Sequence, residues 1–302
     1  MTRRRQPMYD PSDGGESLGI EAWTSTRKPF EPARTNYFTV YLIESGSGTF
    51  WADAARHEFQ ADSLLFFVPY QHIRFVPAVP VRAEVIRFHA NFLCVETFHA
   101  EAGCSGTLFN DPYGSPIVAL DEAAKVAARE FFARIRQEYE TRALAFADVM
   151  LAHLKILLIQ ATRWKVIHNA DCSLSNEHRH PLLAELRELI ERHYHEWHTP
   201  AEYADALHQT PKTLGRIVRE QLGTTPTELI RSRILTHAKW QLLHTLKPVK
   251  ELARELGFGD ELYFSRLFKK AVGRSPKSFR EFETRIRGGS NLSMTSSRPS
   301  IL

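Results

Sequence analysis

The sequence predicts an α+β chain of more than one domain. An N-terminal antiparallel β-barrel of the jelly-roll kind leads into two helices, and an all-α domain of about seven helices with two helix-turn-helix units follows. Three observations predict this. Short β-branched and aromatic runs, separated by turn signals, fill residues 18–118. Helical periods replace them from residue 119 onward. Residues 199–287 then repeat one helix–turn–helix outline.

At 302 residues the chain has room for two ordinary domains, and 43% hydrophobic with 25% charged residues describes a globular protein. Residues 181–287 carry 19 Lys/Arg against 14 Asp/Glu, whereas residues 1–170 carry 18 against 19. The positive half is the half that holds the repeats, as phosphate binding requires. Three cysteines (Cys94, Cys104, Cys172) make no disulfide framework. Arg3-Arg4-Arg5 leads into a polar stretch, not a signal peptide, and the most apolar run, 149–161, is too short and too interrupted to span a bilayer. A cytoplasmic protein with no membrane partner is expected.

Residues 1–17 are polar and rich in Gly, Pro, Asp and Arg, and read as a loose N-terminus. Tyr37-Phe-Thr-Val-Tyr-Leu-Ile43, Thr49-Phe-Trp51, His57-Glu-Phe59, Ser63-Leu-Leu-Phe-Phe-Val68, Ile73–Val76 and Val81–His89 read as strands. Tyr41, Ile43, Phe50, Phe67, Phe75, Phe88 and His89 are the candidate inward positions. They either line a pocket for one small ligand or fill a solid core. His89, Cys94, His99 and Cys104 are all metal-capable, but their equal intervals of five match no common zinc pattern. Structural cysteines and surface histidines are the reading, with no metal and no cofactor.

Residues 119–168 read as a helical pair, Asp121 to about Arg142 and Phe146 to about Ile167. The second is apolar on more than one face, which leaves a surface for a partner, a second copy included. Residues 169–180 read as a linker, and residues 288–302 as a disordered tail.

The domain at 181–287 carries the repeat. Aligning Ala204 with Ala253 and Leu207 with Leu256, with one extra residue in the second turn, puts Arg216 on Arg266. Small alanines suit a close helix crossing. Gly257 suits a left-handed turn, Thr210 and Asp260 suit N-caps, and Pro211 suits a first helical position. Leu214, Ile217, Val218 and Leu222 form one apolar stripe, and Phe264, Leu267, Phe268 and Ala271 form the other. Between the copies, residues 226–244 read as a helix of roughly 30 Å, close to one turn of B-DNA. Double-stranded DNA is therefore the expected partner. Lys212, Thr213 and Arg216 are expected to read one groove, and Glu261, Leu262, Ser265 and Arg266 the next. Arg219, Lys269, Lys270 and Arg274 are expected on phosphates.

Leu256-Gly-Phe-Gly-Asp-Glu-Leu-Tyr-Phe-Ser-Arg-Leu-Phe-Lys-Lys-Ala-Val-Gly-Arg-Ser-Pro-Lys-Ser-Phe-Arg280, together with the first copy and the joining helix, resembles the DNA-binding domain of AraC/XylS-family transcriptional regulators. His208 departs from the pattern, standing where the second copy has its turn glycine. Glu44–Phe50 followed by Ala61–Pro69 resembles the cupin-like sensor domain of the same family. The resemblance implies a regulator with a small-molecule effector in the barrel, acting as an activator through RNA polymerase, with homodimerisation through the helical pair. A barrel that is only structural or metal-sensing is the alternative. A cupin enzyme lacks support: no His-x-His pair occurs in the barrel, and His57, His72 and His89 stand alone, so no catalytic residue is assigned.

Overall fold

The computed structural model describes residues 8–93, 108–109, 115–174 and 181–287, and the chain divides into two compact units, Met1–His178 and Arg179–Leu302. The first unit contains β1 (Leu18–Ser25), β2 (Phe38–Ser45), β3 (Ser47–Ala52), β4 (Ala55–Gln60), β5 (Ser63–Phe67), β6 (Ile73–Pro77), β7 (Val81–Phe88) and β8 (Ile117–Ala119). Two helices follow, α1 (Glu122–Thr141) and α2 (Phe146–Leu174). The strands form two antiparallel sheets, ordered β1-β7-β2-β5-β8 and β4-β3-β6, so the described strands make a sandwich of two sheets and not one closed ring.

The larger sheet is buried on both faces, which explains why β2 and β5 are apolar at nearly every position. Tyr41, Ile43, Leu65 and Phe67 face the smaller sheet, while Val40, Leu42, Leu64 and Phe66 belong to a second core with α1 and α2. Phe132, Ile135, Leu154, Leu157 and Leu158 supply the helical side of that second core. Asp121 starts α1 by accepting a hydrogen bond from the Ala124 amide at 2.8 Å.

Several expectations need correction here. Phe88 faces the helices, not the sandwich interior, with its ring stacked on Phe38 at 5.4 Å. The side-chain period of two sends Val81, Ala83 and Val85 inward, so Phe88 turns outward. His89 follows the strand and is buried under Tyr9, ring on ring at 4.4 Å, outside the inter-sheet core. Residues 8–17 are therefore placed, not loose. The Tyr9 amide donates to Asn36 Oδ1 (2.7 Å), Asn36 Nδ2 donates back to the Tyr9 carbonyl (3.1 Å), and Asp10 caps a short 3-10 turn over Pro11–Asp13. Helix α2 runs on to Leu174, into the expected linker, because polar side chains without Gly or Pro do not end a helix. The rest of the linker, residues 1–7, the tail after Arg287 and Cys94, His99 and Cys104 lie outside the described residues.

The second unit holds seven helices among its described residues: α3 (Leu182–His193), α4 (Pro200–Ala206), α5 (Pro211–Leu222), α6 (Pro226–His244), α7 (Val249–Glu255), α8 (Glu261–Val272) and α9 (Pro276–Ile286). Local chemistry sets their ends. Pro occupies the first turn of α4, α5, α6 and α9, where the missing amide costs nothing. Gly223 and Gly273 close α5 and α8 at φ 64° and 86°. Helix α6, with 19 residues, is about 28 Å long. None of the described helices is long and apolar enough to cross a membrane.

Candidate nucleic-acid interface

The two copies make the same turn bond for bond. Leu207, His208 and Gln209 donate their amides to the carbonyls of Tyr203, Asp205 and Ala204, at 3.0, 3.1 and 2.8 Å. Leu256, Gly257 and Phe258 donate to Leu252, Arg254 and Ala253, at 3.0, 3.0 and 2.9 Å. His208 and Gly257 thus hold equivalent left-handed positions, φ 52° and 76°. Both glycine-free and glycine turns are made, but the histidine carries the strain of a side chain there. The correspondence runs on past the second helices. Thr225 and Ser275 cap α6 and α9, accepting from the Glu228 and Ser278 amides, and Pro226 and Pro276 follow them.

Each second helix buries one face. Leu214, Ile217 and Val218 of α5 are buried, as are Phe264, Phe268 and Val272 of α8, while Leu267 and Ala271 are half-buried. Ala204 and Ala253 are fully buried where each short first helix passes its partner. The opposite faces carry the expected polar set. Lys212, Arg216 and Arg219 are exposed on α5, and Leu262, Arg266, Lys269 and Lys270 on α8. Glu261, Ser265 and Thr213 are half-buried.

Thr213 is committed to the cap of its own helix, its amide 3.1 Å and its hydroxyl 2.9 Å from Thr210 Oγ1. Arg216 pairs with Glu220 at 2.9 Å and Arg266 faces Asp260 at 3.8 Å. At 62% and 75% side-chain exposure these are weak surface pairs that a base edge or phosphate can replace. Sequence reasoning missed Tyr263, which is half exposed beside Leu262 at the start of α8. Its sign was present: an aromatic outside the Phe264/Phe268 stripe.

The second copy is anchored by more than α6. The Arg280 guanidinium, half-buried on α9, donates from Nε to the Leu242 carbonyl (3.2 Å) and from Nη2 to the Lys247 carbonyl (2.6 Å). Leu242 lies in the last turn of α6 and Lys247 in the connection that leads into α7, so one side chain ties the joining helix to the second reading unit. Burial lowers its pKa from the usual 12.5. The segment between α3 and α4 also reaches over, with the His198 ring 4.6 Å from Phe258.

In the sandwich, Phe50, Phe67 and Phe75 pack ring against ring at 5.4–5.9 Å with essentially no exposure. That part is solid core, Ile43 included. A shallow cleft, open to solvent, begins above it, lined by Tyr37, Thr39, Tyr41, Phe67, Gln71 and Ile73 among others. His57 stacks on Phe50, and burial, with the charge of Lys165 adding, pushes its pKa down to about 4. No group of three or more His, Cys, Asp or Glu side chains suited to a metal occurs among the described residues.

One unit holds the sandwich, and the other holds two turn-for-turn equivalent helix-turn-helix motifs with exposed arginines, which is the build of a two-unit regulator of transcription. Two family models match the chain, an AraC-like ligand binding domain over residues 18–149 and a helix-turn-helix domain over residues 203–281. The chain belongs to the AraC/XylS family of transcriptional regulators. It is 39% identical over 71 residues to the arabinose operon regulatory protein of Escherichia coli, covering 24% of each chain. It is 28% identical over 142 residues to the transcriptional activator RhaS of an Enterobacter species, covering 47% of this chain and 48% of that one. The match thus spans between about a quarter and a half of these relatives' length. A solved structure of ToxT from Vibrio cholerae overlaps 88% of this chain and 99% of its own, at 12% identity and a TM-score of 0.37.

Proposed function

We propose that the chain binds double-stranded DNA at a specific site, with α5 and α8 in successive major grooves, and that a small effector bound by the sandwich unit changes this binding. The observation that carries it is the pair of exposed arginines, Arg216 and Arg266, at equivalent positions of two identically bonded turns. Arginine grips guanine by two hydrogen bonds, Glu261 suits the cytosine amino group, and Leu262 suits a thymine methyl. Lys212 completes the first reading set, Ser265 the second, and Thr213 contributes from its cap. Arg219, Lys269 and Lys270 hold phosphates, which fixes register without reading sequence.

Activation is the favoured outcome, since the RhaS relatives are described as transcriptional activators, and RNA polymerase is the partner such activation calls for. Ile156 and Ile167, exposed on one stripe of α2, support a homodimer. Selection of bound fragments from random DNA tests the reading. The expected result is a two-part site with about one helical turn between its halves. Arg266→Ala should relax one half only, at a cost of about 1–3 kcal/mol. Loss of no base preference in that variant rejects the base-reading assignment.

A further inference from the structure

Gly215 stands in the middle of α5, where a glycine needs a reason. It is the poorest helix former after proline, because it has the most backbone freedom to lose. Gly223 and Gly273 close their helices with a positive φ, and Gly257 combines a positive φ with a close backbone contact. Gly215 has neither. Its φ is not positive, and a β-carbon built on it would meet nothing within 4 Å. The fold would therefore accept alanine at this position, and helix propensity would favour it.

What surrounds the missing side chain points outside the fold. Residues 212, 215, 216 and 219 recur at intervals of three and four, so Gly215 shares the helix face that presents Lys212, Arg216 and Arg219 to solvent. Leu214, Ile217 and Val218 turn to the core instead. Arg216 leans toward Glu220, one turn further on at 2.9 Å, and leaves the space over Gly215 open. In the second copy the same stripe is Leu262, Ser265, Arg266 and Lys269, with Ser265 at the position of Gly215. One reading face carries a hydroxyl at its centre. The other carries bare backbone ringed by three cations.

A hollow at the centre of a major-groove reader suits a group that projects from the groove floor. Among the four bases only thymine carries an apolar one there, the C5 methyl, while guanine offers O6 and N7 to the flanking cations. We infer that Gly215 is a specificity-determining residue: α5 seats a thymine methyl group in the hollow between Lys212 and Arg216, against the glycine Cα, and thereby selects thymine at one position of the first half-site. The inference rests on the proposed reading of DNA by α5 and α8. It adds to that reading a base selected by the absence of a side chain.

The test uses the full chain and the duplex it selects from random DNA, with affinities measured by fluorescence anisotropy. Each thymine of the first half-site is replaced in turn by uracil, which lacks only the methyl group. At one of these positions uracil should weaken wild-type binding about fourfold, as expected for one buried methyl. Gly215→Ala should weaken binding to the thymine duplex about tenfold, because its added methyl overfills the hollow. On the duplex carrying that one uracil the same variant should bind within about twofold of the wild type, the two changes compensating. Gly215→Ser, which copies the second unit, should show the same pattern. The thermal midpoint of Gly215→Ala without DNA should equal or exceed that of the wild type, so that weaker binding is not loss of fold. Unchanged affinity in Gly215→Ala, equal weakening on thymine and uracil duplexes, a wild type indifferent to every uracil, or a lowered midpoint overturns the inference. A chain that selects no two-part site sinks the reading of DNA itself. A two-part site bound equally well by wild type and Gly215→Ala retains that reading and sinks only the role of Gly215.

Discussion

Gly257 lies so close to His195 that a β-carbon at position 257 would sit 2.4 Å from the His195 carbonyl oxygen. The turn of the second helix-turn-helix is thereby packed against the segment between α3 and α4, well away in sequence. Two separate demands fall on one residue, a left-handed φ of 76° and a backbone contact that cannot yield. Gly257→Ala should destabilise the second unit by more than about 2 kcal/mol, since the left-handed conformation alone costs about 1–2 kcal/mol and the clash adds to it. His208→Gly at the equivalent position should be neutral or stabilising by up to about 1 kcal/mol, because relief of backbone strain there exceeds or balances the entropy of glycine. Urea unfolding of both variants measures it. Equal effects at the two positions would mean that the equivalence of the turns is only nominal.

Lys269 and Lys270 sit exposed in the last turn of α8, beyond the residues expected at base edges. Replacing Lys269 by Ala should weaken binding to all sequences alike and reduce the salt dependence of binding by about one counterion. Arg266→Ala should instead change which sequences are preferred. Fluorescence anisotropy on matched and mismatched duplexes across a salt series separates the two outcomes.

Much of this architecture was legible because its determinants are local. The caps at Thr210, Asp260, Thr225 and Ser275 and the prolines behind three of them need only neighbours within four residues, and the duplicated spacing then locates both turns. The direction of Phe88 was not legible. When both faces of a sheet are covered, every strand residue is apolar and the pattern loses its sign. The burial of His89 beneath Tyr9 depends on a contact across 80 positions of sequence, and the pinning of Tyr9 on Asn36 spans 27. Nothing in the polar stretch 1–17 signals either. Of the expected inward residues, Tyr41 and Phe67 line the cleft, whereas Ile43, Phe50 and Phe75 lie in the packed core between the sheets. Thr39 and Gln71, polar and unremarkable in sequence, were passed over.

Arg280 holds two carbonyls, of Leu242 and Lys247, that end one helix and lead into the next. Removing it strands both and unties α6 from the second reading unit. Arg280→Ala should cost about 2–4 kcal/mol in stability, as two hydrogen bonds to a charged donor are lost. Arg280→Lys should recover only part, because a single ammonium cannot span both carbonyls as the planar fork does. The readout beyond stability is DNA affinity at a temperature where both variants remain folded. Reduced affinity for a two-part site, with affinity for a half-site unchanged, is expected if Arg280 positions the second unit.

Val149, Ile156 and Ile167 fall on one stripe of α2, with Ile156 and Ile167 43% and 58% exposed. A half-buried valine and two exposed isoleucines at seven- and eleven-residue intervals suit a second helix packed alongside. Sedimentation equilibrium should show concentration-dependent dimerisation, and Ile156→Glu or Ile167→Glu should abolish it while leaving the thermal midpoint of the monomer nearly unchanged. A wild type that remains monomeric at high concentration removes α2 as the dimer surface.

His57 gives the sandwich unit an expected acid sensitivity. Its ring is 5.1 Å from Phe50, and burial with help from Lys165 lowers its pKa from 6.5 to about 4. The unfolded chain therefore takes up a proton below about pH 6.5 that the folded chain refuses until about pH 4. Within that window the unfolded state binds more protons, so stability falls as the pH falls, and it levels off below the folded pKa. Each tenfold difference in proton affinity between the folded and unfolded chain is worth at most about 1.4 kcal/mol. Glu84 pulls in the other direction, since burial raises its carboxyl pKa and favours its protonated form in the folded chain. The informative quantity is therefore a difference between two proteins. His57→Phe retains the ring contact with Phe50 and removes the titrating group. Its unfolding free energy should fall less steeply than that of the wild type between pH 6.5 and 4, and the two curves should run parallel above pH 7. Parallel curves throughout would assign the acid sensitivity to another residue.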